Sequence, residues 1–307
     1  METPAHGGGR ASSGSDLLPL LAVVAMTAIW GSTFVIIKDA VEDLAIGSFL
    51  AVRFAIAAVV LAVLRPGILR RIDRDALRIG AALGVLYGVA QVLQTWGLAF
   101  TSPSVSGFVT ALYVVFTPLI LAVVLRRPVG ASAWIAVVIA LAGIAVLSLR
   151  GFAIGDGELL TLLAAFVYAA HIVALGAWSS GRDALVLSFV QLVVITLVAV
   201  ASMPFDDTVE LPSSSAEWWA VLYTAVFAGT LVLLLQTWAQ ARIAPTRAAV
   251  AMMLEPVFAA GFAVALGVDD LTVRMVVGGA LVLVSLYAVE LGPRRGAEAE
   301  VVHPGPV

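Results

Sequence analysis

Two stretches of this chain carry the same four residues. Residues 93–96 read LQTW, and residues 235–238, which begin 142 positions later, read the same. Each copy closes an apolar run, and each is followed at the same distance by a proline, Pro103 and Pro245. Matched positions elsewhere lie about 138 apart. Internal repetition on this scale predicts a fold built from two copies of one unit.

The chain is strongly apolar. Hydrophobic residues make up 62% of its 307 residues and charged residues 12%, with a mean hydropathy of +1.07. This composition predicts an integral membrane protein. A net charge of -3 argues against a nucleic-acid partner, which would need a block of Lys and Arg on one face. Because the chain has no cysteine, no disulfide, thiolate chemistry or sulfur-ligated metal is predicted. We expect no cofactor either.

Ten apolar runs have about the length that crosses a hydrocarbon layer of ~30 Å. They favour α-helices over barrel strands, because a helix satisfies its backbone hydrogen bonds within the segment and the runs are about twice as long as a tilted strand. The sequence therefore predicts an all-α membrane protein with ten transmembrane helices. These cover residues 17–37, 46–64, 79–99, 104–125, 131–149, 158–178, 184–203, 218–238, 246–267 and 272–291.

Positive charges are unevenly distributed over the predicted loops. If the N-terminus is cytoplasmic, thirteen arginines lie on the cytoplasmic side, against Lys38, Arg150 and Arg274 on the other. Lys and Arg near helix ends mark the cytoplasmic side of a membrane. We therefore expect a multi-pass protein of the cytoplasmic (inner) membrane with both termini in the cytoplasm.

The odd number of helices in each copy determines how the two copies are related. With five helices per copy, the second enters the membrane upside down, and the halves are related by a pseudo-twofold axis in the membrane plane. Many secondary transporters share this plan, with the substrate site near the midplane. The chain divides into a disordered tail (1–16), a first repeat (17–150), a second repeat (156–291) and another disordered tail (292–307).

Several motifs match a known family. The run WGSTF at residues 30–34, the pair Arg53-Phe54, the LEP stretch at residues 254–256 and the five-plus-five repeat resemble the EamA-type branch of the drug/metabolite transporter superfamily. The resemblance covers roughly residues 17 to 291. It implies alternating-access transport of small metabolites, such as amino acids or amphipathic drug-like solutes, with export favoured over import.

Two titratable side chains are predicted inside the membrane. Glu255 lies about ten residues into the ninth helix, where a carboxylate costs roughly 2.5 to 3.5 kcal/mol on insertion scales. It either exchanges a proton during transport or hydrogen-bonds loose backbone beside Pro256. His171 in the sixth helix is predicted within roughly 5 Å of the depth of Glu255. It either forms a proton relay with Glu255 or makes one structural hydrogen bond.

Arg53 and two prolines mark the predicted substrate site. Pro118 and Pro256 occupy matched positions and interrupt the helical ladder, as paired breaks do at transporter binding sites, although packing kinks are an alternative. Arg53, whose repeat mate is the neutral Gln191, offers a forked cation to a carboxylate or pairs with helix-end carbonyls.

An aromatic and hydroxyl-bearing wall is predicted beside this site. Trp30, Ser32 and Thr33 lie in the outer half of the first helix, and Tyr168 is the repeat mate of Trp30. These side chains either line a cavity with few polar groups or pack while their hydroxyls bond to their own helix.

The LQTW copies end at opposite membrane faces. Inverted repeats supply a gate at each face from matched residues, which makes Gln94 and Trp96 on one side and Gln236 and Trp238 on the other the gate candidates. Interfacial anchoring of the tryptophans is the alternative.

Two other classes of membrane protein are less consistent with the sequence. An enzyme needs paired acids, an HExxH-type helix or a nucleophile with a base, whereas one midplane acid and one histidine outside the tails are present. A passive channel usually has rings of repeated polar residues. We therefore expect a small-molecule transporter in a lipid bilayer; both a monomer and a homodimer fit the pattern.

Overall fold

The computed structural model describes residues 17–101, 103–126, 128–148, 155–206, 209–265 and 271–291. Both tails predicted to be disordered, 1–16 and 292–307, lie outside these ranges. Within the described ranges the chain is helical and forms no β-strand. The α-helices are α1 (Leu17–Asp43), α2 (Ile46–Leu64), α3 (Arg74–Phe100), α4 (Pro103–Thr110), α5 (Tyr113–Leu119), α6 (Ala131–Ser148), α7 (Asp156–Trp178), α8 (Ala184–Ser202), α9 (Ser215–Tyr223), α10 (Val232–Gln240), α11 (Pro245–Met252), α12 (Glu255–Ala265) and α13 (Val273–Leu291). Short 3₁₀ turns cover Ile68–Arg71 and Met203–Phe205, and π-helical turns cover Ile120–Val124 and Thr224–Leu231.

The predicted apolar runs coincide with helices or with pairs of helical pieces. Among the residues that the structure describes, six segments are long and apolar enough to cross a membrane, namely α1, α2, α3, α7, α8 and the continuous stretch from α9 through α10. Polar caps fix several of their starts, since the Asp73 carboxylate accepts from Ala76 N at the start of α3 and Asp183 accepts from Leu185 N at the start of α8. These caps explain why α3 begins five residues before its apolar run.

Two segments are interrupted near their middle. Ala111 and Leu112 separate α4 from α5, and Met253 and Leu254 separate α11 from α12. The breaks are 142 positions apart, the same offset as the LQTW copies. A proline follows each break. Pro256 lies in the first turn of α12 and Pro118 lies inside α5, which continues directly into a wider π turn.

Helix contacts in one half have counterparts in the other. α3 packs against α7 and α8, whereas α10 and the π turn before it pack against α1 and α2. In the same way α4 and α5 pack on α7, whereas α11 and α12 pack on α1. The pairs α2–α8 and α6–α13 join matched helices across the two halves. Each contact between segments of one half is therefore repeated when every segment is replaced by its match in the other half.

A stripe of small residues on α3 forms its contact with α8. Gly80, Gly84 and Gly88 recur every four residues, a spacing that predicts close helix packing. The structure confirms this packing, because a Cβ added to Gly84 would lie 2.7 Å from Val194 Cβ and 3.0 Å from the Gln191 carbonyl oxygen. The two helices cannot approach this closely with a larger side chain at these positions.

We expect Gly84→Leu to lower the free energy of unfolding by about 1–3 kcal/mol, because overpacking forces α3 away from α8. Thermal unfolding of the purified protein in detergent, followed by size-exclusion chromatography, measures the change. Gly261→Ala on α12 is the matched control, since no atom lies within 4 Å of a Cβ added there. An unchanged melting temperature for Gly84→Leu would contradict the packing described here.

Candidate functional site

A narrow cavity lies between the two halves of the chain, at the level of the two helix breaks. Its free volume of about 40 Å³ holds only a few water molecules at ~10–15 Å³ each. Thr110 and Tyr113 flank the first break, and Met252 and Glu255 flank the second. The cavity is lined by Trp30, Thr33, Phe34, Ile37, Arg53, Tyr87, Gln91, Gln94, Thr95, Leu98, Thr110, Tyr113, Tyr168, Met252 and Glu255.

Arg53 supplies a buried cation to the cavity. Its side chain is 2% exposed, and its guanidinium lies over the Phe54 ring at 4.5 Å and the Phe49 ring at 5.5 Å. Nη2 donates to Gln91 Oε1 at 3.2 Å, while Nε and Nη1 have no hydrogen-bond partner among the described residues. A buried donor without a partner costs about 1–3 kcal/mol, a cost that a hydrogen-bond acceptor in the cavity would remove.

A directional chain of hydrogen bonds holds Arg53. Because a guanidinium can only donate, Gln91 must turn its Oε1 to Arg53 and its Nε2 to the Tyr168 hydroxyl, 2.5 Å away. The Tyr168 hydroxyl then donates to Gln94 Oε1 at 2.8 Å, and Gln94 Nε2 donates to Thr110 Oγ1 at 3.0 Å. The charge on Arg53 therefore sets the orientation of four side chains on α3, α7 and α4.

Glu255 supplies the acidic group. It is the first residue of α12 and 8% exposed, and it lines the cavity. In the part of the chain that the structure describes, its carboxyl group has no hydrogen-bond partner and no cation within 4.0 Å. Its position in the first turn of α12 places it at the positive end of the helix dipole. Arg53 and Glu255 thus face one cavity without pairing with each other.

His171 belongs to a second polar cluster and does not line the cavity. Its Nε2 lies 3.0 Å from Gln191 Oε1, and Gln191 Nε2 donates to Leu187 O and to Thr237 Oγ1, both at 3.3 Å. The Tyr87 ring packs edge-on against the imidazole with centroids 5.1 Å apart. The structure therefore brings His171 to Gln191, its partner across α7 and α8, rather than to Glu255.

The predicted wall is partly present. Trp30 and Thr33 line the cavity, although the Thr33 hydroxyl bonds back to the Trp30 carbonyl at 2.8 Å. Ser32 does not line it, since its hydroxyl bonds to Ile29 O at 2.6 Å and lies 2.7 Å from the Tyr223 hydroxyl. Ser32 thus joins α1 to α9.

Of the four gate candidates, Gln94 lines the cavity and the other three do not. Gln236 is 1% exposed and its Oε1 has no partner among the described residues. Trp96 packs against Phe100 at 6.4 Å between ring centroids. Trp238 carries the Arg242 guanidinium over its ring at 4.4 Å, as an interfacial residue does.

Sequence reasoning missed Gln91, Tyr87 and Tyr113. A signal for the first two was present, because Tyr87, Gln91, Gln94 and Leu98 recur at spacings of three and four on α3 and form one face of that helix. A polar face on a helix in a bilayer indicates a cavity or a partner helix. Tyr113 gave no comparable signal; it reaches the cavity because α4 breaks just before it.

A family model described as the EamA-like transporter family matches this chain twice, over residues 17–149 and 156–291. The chain belongs to the EamA-like transporter family. A protein of Archaeoglobus fulgidus named "Uncharacterized transporter" is 32% identical over 272 residues, which are 88% of this chain and 84% of that protein. One crystal structure shares the fold with a TM-score of 0.72 at 20% identity, over 93% of this chain and 100% of that chain.

Membership of the EamA-like family makes the chain a multi-pass membrane transporter and not an enzyme. Its substrate is then a small molecule and its environment the lipid bilayer. In this EamA-like transporter the cavity receives residues from both family matches, with Arg53 and Gln94 from the first and Tyr168 and Glu255 from the second. A cavity between two repeated units is where transporters of repeated architecture bind their solutes.

Proposed function

We propose that this EamA-like transporter is a secondary active transporter that moves small carboxylate-bearing solutes, amino acids foremost, across the cytoplasmic membrane by alternating access. One observation carries the proposal. Arg53 with two unpaired donors and Glu255 with no partner line the same cavity without contacting each other. A zwitterion satisfies both, because its carboxylate accepts from the guanidinium and its ammonium donates to the carboxylate.

The free volume of the cavity requires that it widens on binding. About 40 Å³ holds a few waters and not a metabolite. The helix breaks beside the cavity supply the movable parts, since the regular helical ladder gives way there to bonds between residues three apart, as from Leu112 N to Val109 O and from Met253 N to Val250 O. We infer that α5 and α12 shift about these breaks when a solute enters.

The proposed topology has ten membrane spans in two inverted repeats with both termini in the cytoplasm. The six long apolar helices, the two broken segments and the α6–α13 pair account for the ten spans. Matched helices of the two halves make matched contacts, and this supports a pseudo-twofold relation between the halves. On this topology the cavity lies toward the outer face, since Arg53 is near the outer end of α2.

Proton coupling is the second part of the proposal. Glu255 is a carboxyl group without a protein partner at the centre of the route, and an isolated charge there is costly unless it is neutralised. Uptake of a proton or of an ammonium group neutralises it equally well. The two events then compete, and this competition links solute release to proton binding, with export as the proposed direction.

Reconstitution into liposomes tests this function. We expect a pH gradient to drive accumulation of a radiolabelled neutral amino acid against its concentration gradient, with saturable rates and acceleration by unlabelled solute on the opposite side. A pH gradient that drives no accumulation, together with flux that only dissipates the solute gradient, would identify a passive channel instead.

A further inference from the structure

The floor of the cavity is one side chain thick. Tyr87 and Met252 both line the cavity, and each also contacts a buried polar side chain that does not line it. The Tyr87 ring packs against His171 at 5.1 Å between centroids, and Met252 Sδ accepts from Gln240 Nε2 at 3.6 Å. We call Tyr87 and Met252 the floor.

Beyond the floor lies a second group of buried polar side chains. His171 bonds to Gln191, Gln191 bonds to Thr237, and Gln240 follows Thr237 by one helical turn on α10. Gln236 lies one turn before Gln240 on the same helix. All five are at most 1% exposed. We call them the inner cluster.

The unpaired atoms of the inner cluster are acceptors. Gln191 Nε2 donates to two oxygens, so its Oε1 faces His171 and the imidazole Nε2 must donate to it. In the neutral imidazole Nδ1 of His171 then carries no proton and can only accept a hydrogen bond, and it has no partner among the described residues. A thioether can only accept, so Gln240 turns its Nε2 to Met252 and leaves its Oε1 unpaired. Gln236 Oε1 is unpaired as well.

Each member of the inner cluster is the repeat mate of a residue that lines the cavity. The offsets are those of the sequence repeat, 138 in the helices before LQTW and 142 from LQTW through the two helix breaks. The mates are Thr33 for His171, Arg53 for Gln191, Gln94 for Gln236, Thr95 for Thr237 and Leu98 for Gln240. The buried inner cluster thus corresponds position by position to the wall of the open cavity, with the cation replaced by an amide.

We propose that the inner cluster is a second binding site on the transport route, which takes the ammonium group of the solute once the floor moves aside. This inference rests on the transport function proposed above. Three neutral acceptors without a bound donor fit an ammonium group, which has three donors and no acceptor. The carboxylate finds no cation there, because Gln191 stands where the first repeat has Arg53. Once the floor is open, the ammonium group therefore moves from Glu255 to the inner cluster, while the carboxylate end stays with Arg53.

Thiol labelling tests the site without a transport assay, because the chain has no cysteine of its own. Thr237→Cys places one thiol in the inner cluster and leaves His171, Gln236 and Gln240 in place. In lipid nanodiscs we expect this thiol to react slowly with aminoethyl methanethiosulfonate, an ammonium probe. Adding Met252→Ala opens the floor and raises the rate about tenfold, which corresponds to about 1.4 kcal/mol in the free energy of access.

The charge of the reagent tests the proposed ligand. With the floor open, we expect the aminoethyl reagent to react about tenfold faster than the sulfonatoethyl reagent, each normalised to its rate with free cysteine. Gln240→Leu removes one acceptor and reduces this preference. A trimethylammonium reagent, which cannot donate hydrogen bonds, reacts at an intermediate rate. Equal rates for the ammonium and sulfonate reagents, or no effect of Gln240→Leu, would overturn the proposal.

Matched variants separate the floor from general loosening. Val250→Ala makes a comparable truncation on α11 at a buried residue that does not line the cavity. We expect it to leave the labelling rate unchanged. Tyr87→Leu opens the other half of the floor, and it is the alternative variant if Met252→Ala does not fold. If Val250→Ala raised the labelling rate as much as Met252→Ala does, Tyr87 and Met252 would not form the barrier to the inner cluster. If the thiol is labelled as expected but the protein does not transport, the proposed function alone is refuted. If the protein transports normally but the thiol is not labelled as expected, the inner site alone is refuted.

Discussion

Arg53→Met is expected to abolish recognition of the carboxylate while leaving the protein folded. Truncating one member of a buried charge pair costs about 3 kcal/mol, so the affinity for a carboxylate-bearing solute falls roughly 100-fold. The unliganded variant should stay close to the wild type in stability, because removing the two unpaired donors Nε and Nη1 of Arg53 offsets the loss of the bond from Nη2 to Gln91. Binding measured by calorimetry and melting temperature measured without solute test the two parts separately.

Two variants serve as controls for this result. Arg53→Lys keeps the charge but loses the fork, and we expect it to restore only part of the affinity. Arg78→Met removes an exposed arginine from α3 and leaves binding unchanged. Wild-type affinity for a carboxylate in Arg53→Met would remove Arg53 from the binding site. A large fall in melting temperature would instead assign it a structural role.

Glu255→Gln is expected to uncouple transport from the proton gradient. The amide keeps the shape of the carboxyl group but cannot take up or release a proton, so accumulation driven by a pH gradient is lost. Exchange of labelled for unlabelled solute across the membrane needs no net proton movement, so this exchange continues, at a higher half-saturating concentration because an amide binds the ammonium group less strongly than a carboxylate does. The comparison of the two rates in the same proteoliposomes is therefore specific for coupling.

The pH profile of exchange supplies a second readout for Glu255. Wild-type exchange depends on pH because the proton and the solute compete for one carboxyl group, and the variant loses this dependence. Asp75→Asn, which neutralises an exposed carboxylate near the start of α3, behaves like the wild type in both assays. Gradient-driven accumulation at the wild-type level in Glu255→Gln would assign coupling to another residue.

Periodicity predicted the helices and one of their contacts. Apolar runs place α2 and α8 within one residue of their observed bounds, because a bilayer leaves the backbone few alternatives to a helix. The glycines at positions 80, 84 and 88 predicted the packing of α3 on another helix, since only small residues allow such an approach. These features can be predicted because they depend only on the local sequence and on the lipid bilayer, which imposes the same conditions on every spanning helix.

The partners of polar side chains were harder to predict. The depth of His171 along its helix placed it level with Glu255, yet its contacts depend on the rotation of α7, which turns it toward Gln191. The role of Gln91 depends on three helices meeting at one point, and no single helix contains that information. Pro118 predicted a helix break, but the break lies at Ala111 and Leu112, and the proline is followed by a π turn.

The inversion of the two repeats is the central claim, and the sidedness of two matched prolines tests it most directly. Pro66 and Pro204 are 138 positions apart, both are exposed, and each lies in the loop after the second helix of its repeat. In intact right-side-out vesicles of the cysteine-free chain, an impermeant maleimide should label Pro204→Cys from the outer face. Pro66→Cys should react only after the membrane is permeabilised. Labelling of both positions from the same face would contradict the inverted architecture and the transport route built on it.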